Sequence, residues 1–323
     1  MIGGLVERGQ APELKKEVDR MIRKERSIPE ELLVTRYLEK RMELSEEAQG
    51  QLIKLEKGFA GELFWDSFIT AGLPPSSYLM LSDLLLKNNN GESFQIDSLF
   101  LTSKFTIFEI KNYDGEYLIE NNRWYTLFKT DIQNPLIQLQ RTETAFRRLL
   151  KDLNLHIPVE AYVVFVNPEF TLYNAPLNPS IILPSQLKRF LQKMKQDTYE
   201  TNARDLTIAE KIVSFHIKKS PYARQPIYRY EQLGKGVPCG CCGKFTNLLN
   251  LAYTVCKLCG YKESIETAIL RNITEFQILF PEKVVTTSTI YEWSGKIVSE
   301  KTIRRILKKN FQIQSSKRYT YFV

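Results

Sequence analysis

Between Tyr78 and Lys111 the chain carries three strand-length apolar runs separated by two tight turns, a pattern that restricts this stretch to an antiparallel sheet. Tyr78 to Leu86 is the first run. Asn88-Asn89-Asn90-Gly91 is a turn signal, because Asn and Gly accept the positive φ that hairpin turns demand. Phe94 to Leu101 is the second run, with Gln95 and Asp97 alternating against Phe94 and Ile96, and Phe105 to Lys111 is the third, reached through Thr102-Ser103-Lys104. If 102–104 form the loop, 101 faces 105 and, counting outward, Asp97 faces Glu109. Facing residues of an antiparallel pair point to one side with Cβ atoms about 4.5–5.5 Å apart. Lys111, two residues on, points the same way. Two acids and a lysine therefore converge. Such a set suits phosphodiester hydrolysis: paired carboxylates share a hard cation such as Mg²⁺ or Mn²⁺, and a lysine offsets charge growing at phosphorus. The same local pattern also suits the charged face of an ordinary hairpin.

Helical patterns flank the strands. Residues 21–56 read as helical, with Pro29-Glu30-Glu31 as a helix start, and a second helix runs from about Phe59 to Ile69, ended by Gly72, Pro74 and Pro75. Tyr117-Leu118-Ile119 and Trp124 to Leu127 flank Asn121-Asn122 as a further hairpin. Pro135 opens a helix to about Leu153, and Val159 to Val166 is a buried-strand run stopped by Asn167-Pro168. Helix and strand fragments continue to about 217.

The ordered series Gly58-x-x-Gly61-Glu62, Gln95-Ile96-Asp97, Glu109-Ile110-Lys111-Asn112, Gly115, Trp124, Asn134-Pro135-x-x-Gln138 and Val163-Val164-Phe165 resembles the NERD (nuclease-related domain) family, a branch of the PD-(D/E)xK nuclease superfamily, over about residues 56–170. The resemblance implies an α/β (α+β) restriction-endonuclease-like core of αβββαβ order. It implies Asp97 and Glu109 as ligands of a catalytic Mg²⁺ or Mn²⁺, Lys111 as the catalytic lysine, and Glu62 as the helical acid beside the metal. Gln95 and Gln138 match positions that line the site. Ile96 stands where the superfamily has Pro, as is general in this family.

The cysteines point to a second module. All five of the 323-residue chain lie between Cys239 and Cys259. Cys239-Gly-Cys241-Cys242-Gly243 and Cys256-Lys-Leu-Cys259-Gly260 are two Cys-x-x-Cys-Gly knuckles, which resemble a zinc ribbon. Four thiolates close a tetrahedral, structural Zn²⁺ site, and each trailing Gly permits the tight turn. The expected ligands are Cys239, Cys242, Cys256 and Cys259, with Cys241 an alternative to Cys239.

Charge separates a third region. Residues 1–210 hold 26 Lys+Arg and 30 Asp+Glu, and 211–323 hold 19 and 7, which together make the 45 and 37 of the whole. A basic C-terminal third is the footprint of polyanion binding. There, helical patterns over Thr267 to about Phe280, Thr287–Trp293 and, capped by Ser299, through Asn310 are followed by a hairpin around Ser315-Ser316-Lys317-Arg318. The arrangement resembles a winged helix-turn-helix. In that case Glu300, Lys301, Arg304 and Arg305 face the major groove, and Lys308, Lys309, Lys317 and Arg318 the phosphates.

The expected organisation is a helical extension (1–55), a nuclease-like domain (56–217), a linker (218–236), a zinc ribbon (237–263) and a winged helix-turn-helix (264–323). Lys16-Glu17-Val18, read back into codons, can encode a ribosome-binding sequence, so translation from Met21 is a further expectation. With 43% hydrophobic and 25% charged residues the composition is that of a globular chain, which excludes collagenous, mucin-like and disordered readings. No run approaches the roughly 18 apolar residues of a membrane span, and no apolar segment of a secretory signal stands at the N-terminus, so a cytoplasmic protein is expected. The two histidines, His156 and His216, stand in no recognisable motif, and no phosphate-binding Gly-rich loop occurs, which argues against ATP or dinucleotide cofactors. The expected function is a metal-dependent deoxyribonuclease. Its partner is DNA, with RNA undistinguished by sequence and a homodimer compatible with cutting both strands. The alternatives are a non-catalytic DNA-binding regulator or adaptor and a protein-interaction scaffold.

Overall fold

The computed structural model describes residues 22–74, 76–197, 200–217, 226–316 and 319–323. The proposed start at Met21, the first part of the expected linker, and Lys317 and Arg318 lie outside the described residues. The described chain forms two compact units, one of residues 22–28 and 54–217, the other of residues 29–53 and 226–323.

In chain order the elements of the first unit begin with strand β1 (Ile22–Lys24). Helix α1 (Glu30–Glu39) belongs to the second unit, and helix α2 (Glu46–Gly72) contains the division between the two. The helical reading of 21–56 is thus corrected: 22–24 is a strand, Pro29 stands before α1, and one helix spans 46–72. The local pattern does not reveal that Ile22–Lys24 pairs in parallel with a strand more than 50 residues away. Strands β2 (Leu79–Lys87), β3 (Ser93–Leu101) and β4 (Phe105–Lys111) follow, then β5 (Gly115–Glu120), β6 (Arg123–Thr126) and β7 (Asp131–Ile132). Helix α3 (Pro135–Asp152) is capped by the Asn134 side chain, which accepts the Leu136 N–H, and has Pro in its first turn. Strand β8 (Val159–Phe165), strands β9 (Phe170–Tyr173) and β10 (Ile181–Ile182), and helices α4 (Leu187–Gln196) and α5 (Ala203–Val213) complete the unit.

The main sheet is mixed, in the order β1-β2-β3-β4-β8-β10, with β2-β3-β4 antiparallel and β8 parallel to β4. A second, four-stranded sheet runs β7-β6-β5-β9. Alternation along the strands gives the main sheet two apolar faces. One carries Leu81, Leu99, Ile107 and Val163 with Phe146 and Leu149 of α3 and Ile208 and Ile212 of α5. The other carries Met80, Phe100, Phe108 and Val164 with Trp65 and Ile69 of α2 and Phe190 of α4. Both faces are therefore dry, the condition under which a sheet holding parallel pairs is stable.

In the second unit, strands β11 (Asn247–Leu248), β12 (Tyr253–Val255) and β13 (Lys262–Ser264) form an antiparallel sheet. Helices α6 (Ile265–Leu279), α7 (Thr287–Trp293) and α8 (Glu300–Asn310) follow, then the hairpin of β14 (Ile313–Ser316) and β15 (Tyr319–Phe322). Ser264, Thr286 and Ser299 cap α6, α7 and α8, each accepting the N–H three residues on. At the centre of this unit Arg41 is fully buried. It pairs with Glu275 at 2.5 Å, donates to Asn272 Oδ1 at 2.7 Å and to the Gly234 carbonyl at 2.7 Å, and stacks 3.7 Å from the Trp293 ring centre. Among the described residues, no helix is long and apolar enough to cross a membrane.

Candidate functional site

The β3–β4 loop aligns Leu101 with Phe105, and the ladder runs to Ser98 opposite Phe108. One step further the backbone ladder gives way to a side chain: Asp97 Oδ2 accepts the Ile110 N–H at 2.9 Å. The same point is irregular in the neighbouring pair. Ser82 pairs with Ser98 and Leu84 with Ile96, but Asp83 and Asp97 between them do not pair, and Asp83 has φ +52°. Leu81 and Leu84 face the same core, as do Ile96 and Leu99, so alternation slips by one place in both strands at this position. Asp tolerates the left-handed region better than most residues. At the slip Asp97 comes to line the same cleft as Glu109 and Lys111 of β4.

A cleft of about 550 Å³ opens there. It is lined by all six residues that the sequence singles out, Glu62, Gln95, Asp97, Glu109, Lys111 and Gln138. Glu109 is 2% exposed, and its Oε1 receives Lys111 Nζ at 2.8 Å and the Gln138 amide. Lys111 Nζ also reaches Gln138 Oε1 at 3.1 Å. These four side chains come from β3, β4 and α3, with Asp97 tied to the Ile110 backbone rather than to Lys111. Gln95 lines the cleft but donates to Asp83 Oδ1 at 3.2 Å. Glu62, on α2, accepts from Arg26 Nη1 at 2.7 Å. Gly61, beside it, lets α2 close on the end of β4: a Cβ at this position would stand 2.5 Å from Asn112 Cβ. Asn112 in turn donates to the Lys57 carbonyl at 2.7 Å.

The paired cations do not offset the burial and mutual repulsion of the acids. Burial, then Asp97, pushes the Glu109 carboxyl up to about 7 against the pull of Lys111. Burial, then Asp97, pushes Glu62 up to about 8 against Arg26. Asp97 is itself raised, burial outweighing Lys111, the Ile110 N–H and Arg26. Lys111 is raised as well, its carboxylate neighbours overcoming burial, so it holds its proton. A hard oxygen donor set with excess negative charge fits a divalent cation. The fit is not as close as that of the thiols: among the described residues, the four cysteines alone form a group of three or more His, Cys, Asp or Glu with ligand atoms all within 4.8 Å of one another.

Sequence reasoning missed Arg26, Asp66 and Asp83. Asp66 stands four residues after Glu62 on the same helix, and that spacing signals a shared face. Nothing local marks Arg26, which reaches α2 and β3 from the N-terminal strand. Lys54, Lys57, Tyr113 and Tyr117 also line the cleft.

In the second unit Cys239, Cys242, Cys256 and Cys259 form the tight cluster, with Sγ–Sγ separations of 3.7 Å for Cys239–Cys259 and 3.4 Å for Cys242–Cys256. A tetrahedron with Zn–S bonds of about 2.3 Å has edges of about 3.8 Å, so the cluster fits structural zinc. Gly243 and Gly260 have φ of +76° and +73°, and their N–H groups return to the carbonyls of Cys239 and Cys256. Of the two candidate thiols, Cys239 belongs to the cluster. Cys241 is exposed, and its N–H donates to Cys239 Sγ at 3.3 Å.

On α8, Ile303, Ile306 and Leu307 are buried, whereas Glu300, Lys301, Arg304, Arg305, Lys308 and Lys309 are exposed. Lys309 is not wholly available: it pairs with Glu266 of α6 at 2.8 Å. No curated protein and no solved structure matches the chain. Residues 57–166, which hold every one of the six predicted cleft residues, match the family model described as nuclease-related domain (NERD).

Proposed function

We propose that the cleft hydrolyses phosphodiester bonds of DNA with Mg²⁺ or Mn²⁺, and that the second unit holds the nucleic acid. The observation that carries this reading is the convergence of Asp97, Glu109, Lys111 and Gln138 in one cleft of a segment matching the nuclease-related family. Asp97 and Glu109 are the oxygen donors that would hold the cation, which when bound supplies Lewis acidity at the phosphoryl group and a stronger nucleophile from water. Lys111, protonated and steered by Glu109 and Gln138, presents Nζ to the charge that grows on the phosphoryl oxygens. Gln138 fixes the Glu109 rotamer through its amide. Water is the nucleophile, and no covalent intermediate is required. The β2–β4 hairpins, α2, α3 and β8 agree with an αβββαβ restriction-endonuclease-like core into which the β5–β7 strands are inserted. The short α7, the turn through Ser294 and Gly295, the basic α8 and the β14–β15 hairpin support a winged helix-turn-helix beside a zinc ribbon.

One observation favours a second reading, a DNA-binding adaptor without catalysis: the carboxylates of Glu62, Asp97 and Glu109 are less closely grouped than the thiols. A cleavage assay separates the two. Supercoiled, linear and single-stranded DNA are incubated with Mg²⁺ or Mn²⁺ and either wild type or Asp97→Ala from identical preparations. Cleavage by wild type alone is expected. Equal cleavage by both indicates a contaminant, and binding without cleavage by wild type refutes the nuclease reading.

A further inference from the structure

Behind the acids that line the cleft stands a buried cation, Arg26. Arg26 lies just beyond β1, its side chain is 3% exposed, and its guanidinium is almost completely satisfied. Nε and Nη2 grip Asp66 at 2.8 and 3.0 Å, Nη1 holds Glu62 at 2.7 Å, and Nη2 also donates to the Asp97 backbone carbonyl at 2.9 Å. One side chain thus joins two acids of α2 to the backbone of the acid on β3. Lys24 anchors the same segment to β2, donating to the Ser82 and Asp83 carbonyls at 2.9 and 2.6 Å. A guanidinium keeps its charge in proteins, and its planar fork suits bidentate carboxylate binding.

We infer that Arg26 is a positioning residue that occupies, permanently, the place a second divalent cation would take between Glu62, Asp66 and Asp97. It leaves a single exchangeable cation site at Asp97 and Glu109. The inference rests on the nuclease reading for that single site, and it revises the role that resemblance assigns to Glu62, which faces Arg26 rather than a metal. The chemical logic is charge replacement. Removing the guanidinium leaves the Glu62 and Asp66 carboxylates and the Asp97 backbone carbonyl around one space, an oxygen donor set for a hard cation. Keeping a positive charge there, as Lys does, leaves the space filled.

The test counts Mn²⁺ bound to the full-length, zinc-loaded chain, from the loss of the free-ion signal in electron paramagnetic resonance. Wild type is expected to bind one Mn²⁺, Asp97→Asn none, Arg26→Gln two, and Arg26→Lys one. A wild type that binds two overturns the inference but leaves the nuclease reading standing. So does an Arg26→Gln variant, folded by circular dichroism, that binds one ion with wild-type affinity. A wild type that binds none removes both. Should Arg26→Gln fail to fold, the counts for wild type and Arg26→Lys still decide, since two ions in either overturn the proposal.

Discussion

Asp97→Asn should make the protein more stable while abolishing the proposed cleavage, and the gain should depend on pH. Asn is isosteric and keeps an oxygen to accept the Ile110 N–H seen at 2.9 Å. What it removes is a negative charge beside two other acids. The Glu109 carboxyl rises from 4.5 to about 7. At 1.36 kcal/mol per unit the charged form is disfavoured by about 3 kcal/mol. Burial is the leading cause and survives the substitution, so only part is returned, on the order of 1 kcal/mol for relief of one like-charge contact at partly screened separation, with Glu62 relieved in the same direction. For a unit of this size each kcal/mol is worth about 2–4 °C in Tm. The sign follows from linkage. An acid whose folded-state pKa is raised keeps its proton in the folded chain, so its contribution is favourable at low pH and is lost as pH climbs from about 4.5 through the folded values near 7 and 8. Wild type should therefore lose stability between pH 5 and 8.5, and Asp97→Asn should lose less. Calorimetry at both pH values, without added Mg²⁺ and with zinc retained, measures the difference. Saturating Mg²⁺ should then stabilise wild type, by about 2.7 kcal/mol at a hundredfold excess over Kd, and not the variant. A variant that melts below wild type at pH 8.5, or a gain that is the same at pH 5, would refute the claim that the cleft holds uncompensated acids.

Other outcomes follow from the same geometry. Lys111→Met should reduce turnover by about 10²–10³-fold, the usual loss for a group that stabilises transition-state charge, with DNA affinity little changed in a filter-binding assay. Cys241→Ser should retain one zinc per chain by elemental analysis, while Cys259→Ser should lose it, because only Cys259 stands in the sulfur cluster. Arg41→Met should cost about 3–5 kcal/mol in urea unfolding by stranding buried Glu275, and adding Glu275→Gln should restore much of that loss. Lys308→Glu should weaken DNA binding and flatten its salt dependence more than Lys309→Glu does, since Lys309 already pairs with Glu266.

The strands that frame the cleft were legible because turn chemistry and period-two patterning are local. Thr102-Ser103-Lys104 fixes Leu101 opposite Phe105; counting outward predicts Asp97 opposite Glu109, one step beyond the last ladder pair, Ser98 with Phe108, and both acids line the cleft with Lys111. The knuckle cysteines were legible for the same reason, since each pair and its glycine fit within one turn. So was the cap at Ser299, where a short polar side chain meets the first free N–H groups of its helix. What local pattern could not supply is the identity of partners distant in sequence. Counting residues does not reveal that alternation slips at Asp83 and Asp97, because both strands shift together and the register sum is preserved. Nor does it show that residues 22–28 belong with 54–217 while 29–53 pack with the C-terminal third, or that Arg26 reaches across 36 to 71 residues to Glu62, Asp66 and Asp97. The choice of Cys239 over Cys241 depends on which sulfur the folded knuckle turns inward. Sequence by itself determined the strands and turns that frame the cleft and the chemical types at the site, though not the strand at Ile22–Lys24. Tertiary structure decided which charges meet, because electrostatic partners are selected by distance in space and a buried acid accepts whichever cation the fold brings to it.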